Sequence, residues 1–355
     1  MRVVLVGYGS VGRAFARMLA DRAHGLYSAT GLSPRLVCVV DSRGAAVSPG
    51  GLDVEALNNA KDVGGSVGTL AKFGMGSVLG STDVSALIRD IAADVVVEST
   101  PSALKNPGPA LANLKAAFSS RKHAISVNKA PLALAMPALL ELARYNRVEF
   151  RYSGTVGAGT PVLDTARKLA QGDRITRVRA ILNGTTNYIL WRMREAGASY
   201  EDALAEAQKL GFAESDPSTD VDGVDTATKV VILANTILGG GGGVGIGTLR
   251  PTMSDISITG IRAVDRGQIE RATGRGHVVK LIGEIDTMTR RLSVSPQEVP
   301  AAGPLDVPRA LNAVQFTLES AGEVSLIGRG AGGPETATAI IRDLVDIWNT
   351  PGVHE

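Results

Sequence analysis

The chain has 355 residues, room for two domains at about 150 residues each, and its 44% hydrophobic and 20% charged residues describe a folded globular protein rather than a disordered one. Its 37 basic and 35 acidic residues leave a formal net charge of +2, and no run of Lys or Arg stands out that would track a phosphate backbone, which argues against nucleic acid as a partner. Cys38, the single cysteine, can form neither an intrachain disulfide nor a thiolate metal site, so a reducing compartment is expected. Within Met1 to Ala20 the apolar run is interrupted by Gly7 and Gly9 and followed by Arg13 and Arg17, a poor signal peptide, and the expected location is the cytoplasm.

In chain order, Arg2 to Val6 is a short β-branched strand, Gly7 to Gly12 a glycine turn and Ala14 to Ala23 a helix. Gly25 to Arg35 reads as an insertion before a second strand, Leu36 to Val40, which ends at Asp41. This strand–turn–helix–strand order predicts a βαβ unit and a parallel sheet. Asp41 to Ser81, with a short helix over Val54 to Lys61, reads as an elaborated loop. Further strands are predicted over Asp94 to Glu98 and His123 to Val127, whose polar ends should lie at the carboxyl edge where open α/β sheets bind ligands.

The character changes near Tyr152. Val178 to Leu182, His277 to Ile285 and Arg291 to Val299 read as strands, and Tyr200 to Leu210, Asp225 to Leu238 and Asp255 to Ile261 as helices. Val230 to Leu249 is uncharged for the length of a membrane span, but Gly239 to Gly245 would make a poor helix, so a buried helix running into a glycine loop is expected. Glu335 to Trp348 is an amphipathic helix, expected to pack back onto the first domain.

Gly7-Tyr8-Gly9-Ser10-Val11-Gly12 follows a strand and opens a helix. The first glycine allows the tight turn, the second admits a pyrophosphate to the backbone, and the third lets helix and strand pack closely. Asp41 can accept from the ribose hydroxyls of NAD, while Ser42 and Arg43 can hold the 2′-phosphate of NADP, and the sequence leaves the two cofactors open. The expected fold class is α/β, a Rossmann-type doubly wound dinucleotide-binding domain over residues 1–150 with 330–355 packing back, and a second α+β substrate domain over 151–329. Thr100, Ser102 and Lys129 follow the fourth and fifth strands and should face the nicotinamide.

The segment from Gly211 to Lys229 is rich in carboxylates, and Asp225 and Lys229, four apart, share a helix face. An EF-hand does not fit its order. The pattern Ala207-x-x-x-Gly211-Phe212-Ala213-x-x-Asp216-Pro217-x-x-Asp220-Val221-x-Gly223-x-Asp225-x-x-x-Lys229 resembles the signature of homoserine dehydrogenases. Asn183-Gly184-Thr185-Thr186-Asn187-Tyr188-Ile189-Leu190, Asn128-Lys129, Val156-Gly157-Ala158-Gly159 and Gly328-Arg329-Gly330-Ala331-Gly332-Gly333 resemble further blocks of that family in the same order. The resemblance covers essentially the whole chain and implies the short form, without the regulatory domain or fused aspartokinase of some members.

Residue by residue, the resemblance implies Lys229 as the catalytic lysine, Asp225 as the carboxylate beside the substrate hydroxyl, and Lys129 as the lysine near the nicotinamide. It implies Glu214 for the substrate ammonium, Asp220 in the same acidic shell, Gly184 and Thr185 at the substrate, and Gly330 in a late loop closing on the cofactor. Main-chain carbonyls of Val156, Ala158 and Thr160 match those that hold a monovalent cation, sodium or potassium, but Ser153 stands where the family often has Glu, which removes that site's only formal negative charge and weakens the expectation.

The implied activity is NAD(P)-dependent interconversion of L-homoserine and L-aspartate 4-semialdehyde, a step toward threonine and methionine, by a homodimer. A direct hydride transfer needs neither a metal nor a covalent intermediate. Lys229 can donate the proton; burial and Lys129 favour its release, Asp225 its retention. A semialdehyde dehydrogenase forming an acyl phosphate would need a nucleophilic cysteine, and Cys38 lies inside the second strand. A non-catalytic dinucleotide sensor on the same fold is the other alternative, against which Lys229, Asp225 and Glu214 speak.

Overall fold

The computed structural model describes residues 1–73, 76–79, 83–104, 106–238 and 250–352. The glycine loop expected at Gly239 to Gly245 lies outside the described residues. The chain divides into two units, Met1–Ala158 with Gly332–Glu355, and Gly159–Ala331.

The first unit is built on a seven-stranded sheet of order β4-β3-β2-β1-β5-β6-β7. Its strands are β1 (Arg2–Val6), β2 (Arg35–Asp41), β3 (Gly44–Val47), β4 (Gly76–Leu79), β5 (Val95–Glu98), β6 (His123–Ser126) and β7 (Phe150–Arg151). β1, β2, β5, β6 and β7 pair in parallel, and the connection reverses direction at β1, with β2 on one side and β5 on the other. The ends of β1 and β5 therefore form the switch point where such sheets bind ligands. Val3 to Val6 and Val95 to Val97 are buried continuous apolar runs, as a central parallel strand covered on both faces requires.

Two expectations are corrected here. The segment after Asp41 is not simply a loop: β3 and β4 extend the sheet in antiparallel fashion, beside a helix, α2 (Val54–Gly64), so the sheet is mixed. A tight turn joins β2 to β3, pairing Asp41 with Gly44, a return that the composition of the segment does not announce. Nor is Gly25 to Arg35 an insertion, because α1 (Ser10–Thr30) runs through it and stops at Gly31 in the left-handed conformation that ends helices.

The remaining helices of this unit are α3 (Val84–Asp90), α4 (Gly108–Ser119), α5 (Lys129–Tyr145) and the last of the chain, α12 (Gly333–Trp348). Phe15, Ala16 and Leu19 of α1 join Ala337, Ile340, Leu344 and Ile347 of α12 in one core, and Trp348 Nε1 donates to Thr30 O at 2.9 Å.

The second unit carries a six-stranded sheet of order β13-β12-β8-β10-β11-β9. The strands are β8 (Ile175–Ile181), β9 (Ile256–Ile258), β10 (His277–Asp286), β11 (Arg291–Pro300), β12 (Leu311–Leu318) and β13 (Gly322–Arg329). Its helices are α6 (Val162–Gly172), α7 (Gly184–Ala196), α8 (Tyr200–Lys209), α9 (Ser218–Val221), α10 (Val224–Leu238) and α11 (Arg266–Gly274). α10 crosses the sheet at Gly283, where a Cβ would press on Val230 and Thr226, so glycine sets the close approach of helix and strand.

The helix expected over Asp255 to Ile261 is instead a single turn, Met253–Asp255, followed by β9, which pairs in parallel with Leu292–Val294. The β-branched Ile256 and Ile258 favour the strand once a partner is present. That pairing also places β11 one strand in from the edge. No described helix is long and apolar enough to cross a membrane.

Candidate active site

The glycine turn shows which of its glycines serve the fold and which leave room. Gly7 has φ +100°, and a Cβ there would lie 2.6 Å from Ser99 C; one on Gly12 would collide with Gly7 O. Gly9, by contrast, faces open space, and as N-cap of α1 it offers no side chain to the first-turn amides. Those amides and the positive end of the helix dipole form an anion site that a methyl at Gly9 would crowd, and a dinucleotide pyrophosphate fits it. Ser10 and Val11 supply the first helical amides. Tyr8 is 2% exposed, its hydroxyl donating to Asn58 Oδ1 at 3.2 Å and its pKa pushed up to about 12 by burial, so only its backbone lies on the turn.

Asp41, at the end of β2, is held by donors from several parts of the chain. Its carboxylate accepts from Lys61 Nζ at 2.8 Å, Ser66 Oγ at 2.8 Å, Val67 N at 2.9 Å and Arg43 N at 2.9 Å. Burial raises its pKa, and these hydrogen bonds overcome that and hold it below the usual carboxylate range. These four donors tie Asp41 to the segment after α2. Arg43, whose guanidinium donates to Gly65 O, is exposed at the same place, beside Lys61.

At the carboxyl ends of β5 and β6, Lys129 N donates to Ser102 Oγ at 2.9 Å, and Asn128 Nδ2 donates to Thr100 Oγ1 at 3.1 Å. Asn128 Oδ1 accepts from Ala130 N at 3.0 Å and caps α5, whose first residue is Lys129. The expected nicotinamide-end residues Thr100, Ser102 and Lys129 thus form one hydrogen-bonded group.

In the second unit, Lys229 Nζ, on buried α10, lies 2.7 Å from Asp225 Oδ2 and donates to Leu182 O at 2.6 Å. Asn183 Nδ2 bridges Asp225 Oδ2 at 3.0 Å and Asp220 Oδ1 at 2.6 Å, while its Oδ1 accepts from Thr186 N and caps α7. Asp220 has its pKa raised by burial and by the neighbouring Asp225 charge, against the hydrogen bond from Asn183. Thr185 Oγ1 donates to Phe212 O at 2.6 Å and ties the acidic segment to α7.

Asn183 is the residue whose role sequence reasoning missed: it stood in a recognised block, but only the fold shows that it joins both carboxylates. Gly184 sits where a Cβ would come 2.8 Å from Ala310 O, and Gly330 packs against the buried Asn312. Glu214 is exposed, and Gln208 Nε2 donates to its main-chain oxygen at 3.0 Å.

Val156 and Ala158 lie in the first unit and Thr160 in the second. Gly157 and Ala158 both have positive φ, +85° and +48°, an arrangement disfavoured for alanine that turns the carbonyls of this segment. Asp343 of α12, fully buried, accepts the Ser153 N–H at 3.0 Å, so a carboxylate reaches it from a distant part of the chain.

A family model described as homoserine dehydrogenase matches residues 161–345. The chain is 39% identical over 350 residues to a homoserine dehydrogenase of Methanocaldococcus jannaschii, covering 99% of both chains. It is 36% identical to an NAD(+)-dependent homoserine dehydrogenase of Pseudomonas canavaninivorans, covering 98% of this chain and 96% of that one. Among solved structures it is similar to a putative homoserine dehydrogenase of Archaeoglobus fulgidus, with TM-score 0.84, 32% identity and coverage of 98% and 99%. It is also similar to a hyperthermophilic archaeal homoserine dehydrogenase in complex with NADPH, with TM-score 0.81, 26% identity and coverage of 98% and 97%. With a buried lysine, two carboxylates and a dinucleotide turn all standing in the expected blocks, the chain belongs to the homoserine dehydrogenase family.

Proposed function

We propose that this chain interconverts L-homoserine and L-aspartate 4-semialdehyde with NAD(P), and that the Lys229–Asp225–Asn183–Asp220 cluster carries the substrate chemistry. The observation behind this reading is the buried 2.7 Å pair of Lys229 and Asp225 with Asn183 bridging to a second carboxylate. When bound, the reduced cofactor supplies the hydride that reaches the aldehyde carbon. The C=O π electrons move onto oxygen, and Lys229 Nζ donates the proton that turns this oxygen into the hydroxyl; in the oxidising direction Nζ takes it back.

Asp225 holds the lysine in place. Asp220 and Glu214 favour the substrate ammonium, and Gly184 and Thr185 shape the bed for its chain. The glycine turn holds the pyrophosphate, Arg43 and Lys61 stand ready for a 2′-phosphate, and Lys129, Thr100 and Ser102 contact the nicotinamide half. The protein is read as a cytoplasmic homodimer; β13, an eight-residue edge strand with Ile327 55% exposed, replaces β11 as the edge that a symmetric partner would cover.

The test is Lys229→Ala. Turnover is expected to fall by about 10²–10⁴-fold, the usual worth of a general acid, with cofactor affinity nearly unchanged. A fall in cofactor affinity as large as the fall in rate would remove Lys229 from this role.

A further inference from the structure

Glu98 has no part in the reading above, and neither has Asn113. A carboxylate at the end of a central strand, fully buried, is costly unless it is fully hydrogen-bonded, and Val95, Val96 and Val97 show what the strand otherwise holds. Its partners are all donors. Glu98 Oε1 accepts from Thr100 N at 2.9 Å and from the Thr100 hydroxyl, and Oε2 accepts from Asn113 Nδ2 at 2.8 Å.

A carboxylate only accepts, so the direction of every bond in this chain is set. The Thr100 proton is committed to Glu98, which makes Thr100 Oγ1 the acceptor for Asn128 Nδ2 at 3.1 Å. Asn128 is thereby oriented with Oδ1 toward Ala130 N, capping the helix that begins at Lys129. The same Asn128 amide donates to Pro101 O at 3.2 Å, and Lys129 N donates to Ser102 Oγ, so the two loops are joined at three points.

We infer that Glu98 is a positioning residue of the cofactor site, a buried carboxylate that locks the loops Thr100–Ser102 and Asn128–Lys129 into the one arrangement that receives the nicotinamide half. Burial holds its pKa above the ordinary carboxylate value, outweighing the Thr100 and Asn113 hydrogen bonds that favour the charged form. The inference rests on the reading of these loops as the nicotinamide end.

Its test compares, by calorimetry, the affinity of the whole oxidised dinucleotide, NAD+ or NADP+, with that of its adenine half, ADP or 2′,5′-ADP. Glu98→Leu removes the acceptors and is expected to weaken the dinucleotide about tenfold or more, the scale of one lost preorganised contact, while leaving the adenine half unchanged. Glu98→Gln should restore near-wild-type affinity, since its amide oxygen can take both Thr100 donors and its amide nitrogen can face a turned Asn113. Asn113→Leu, which removes the donor to Glu98 Oε2 and touches neither loop, should likewise weaken the dinucleotide and spare the adenine half if Glu98→Leu does not fold.

Equal losses for both ligands would reduce Glu98 to a general structural role and overturn the proposal. So would unchanged dinucleotide affinity in Asn113→Leu, or failure of Gln to rescue. A wild-type protein that binds the adenine half but gains nothing from the nicotinamide half would instead overturn the reading of these loops, and this inference with it.

Discussion

Replacing Gly9 by alanine separates cofactor binding from folding at one atom. Gly9 has φ −91° and ψ −154°, which alanine adopts without strain, and its Cβ would meet no protein atom within 4 Å. Two small terms oppose each other: a slightly poorer N-cap, at most about 1 kcal/mol, and an unfolded chain with less entropy, worth about 0.4–1 kcal/mol in favour of folding. The midpoint of thermal unfolding should therefore scarcely move.

The new methyl would nevertheless occupy the space over the first-turn amides of α1. A phosphate pushed off one charge-assisted hydrogen bond loses about 1.5–3 kcal/mol, or about tenfold to a hundredfold in affinity. Gly12→Ala supplies the contrast, because its Cβ would collide with Gly7 O and stability should fall. Calorimetric titration with NAD+ and NADP+ beside thermal melts reads both quantities. A Gly9→Ala protein that binds dinucleotide as tightly as wild type would refute the placement of the pyrophosphate.

Arg43→Ala should weaken NADP+ more than NAD+, while Asp41→Ala should cost stability in the segment it anchors instead of selectively weakening NAD+; paired affinity and melting measurements distinguish these outcomes. Lys280, 2% exposed and donating to Asn187 Oδ1 and Val307 O, has its pKa lowered to about 8 by burial. Its folded pKa lies below its unfolded value of 10.5, so the folded state binds fewer protons between the two. Stability attributable to this group should therefore rise with pH across that window, by roughly 3 kcal/mol in full. Denaturant unfolding of wild type minus Lys280→Met should show that rise, and a difference independent of pH would count against it.

The parts of the site that were legible in the sequence are those whose chemistry is local. The glycine turn, the strand before it and the Asp225–Lys229 spacing each depend on residues within a few positions, so their physics is written in the order of the chain. Asp41 shows the limit: its place at the end of β2 is local, but Lys61, Ser66 and Val67 come to it from twenty or more positions away.

The same distance hid Asp343, which brings a carboxylate to Ser153 from α12, and Glu98, whose partner Asn113 sits on another helix. β12 and β13 escaped notice because alternating exposure along β13 is the pattern of an edge strand that gains meaning only from its partner. The segment Asp255 to Ile261 failed for a related reason, since only pairing with β11 decides between a helical turn and a strand for so short a run.

The measurement that bears most directly on the account is the absorbance of reduced nicotinamide when the wild-type protein is given L-homoserine with NAD+ or with NADP+. Steady formation of reduced cofactor, dependent on homoserine and lost in Lys229→Ala, is the predicted result. Tight dinucleotide binding with no homoserine-dependent reduction in either cofactor would contradict it.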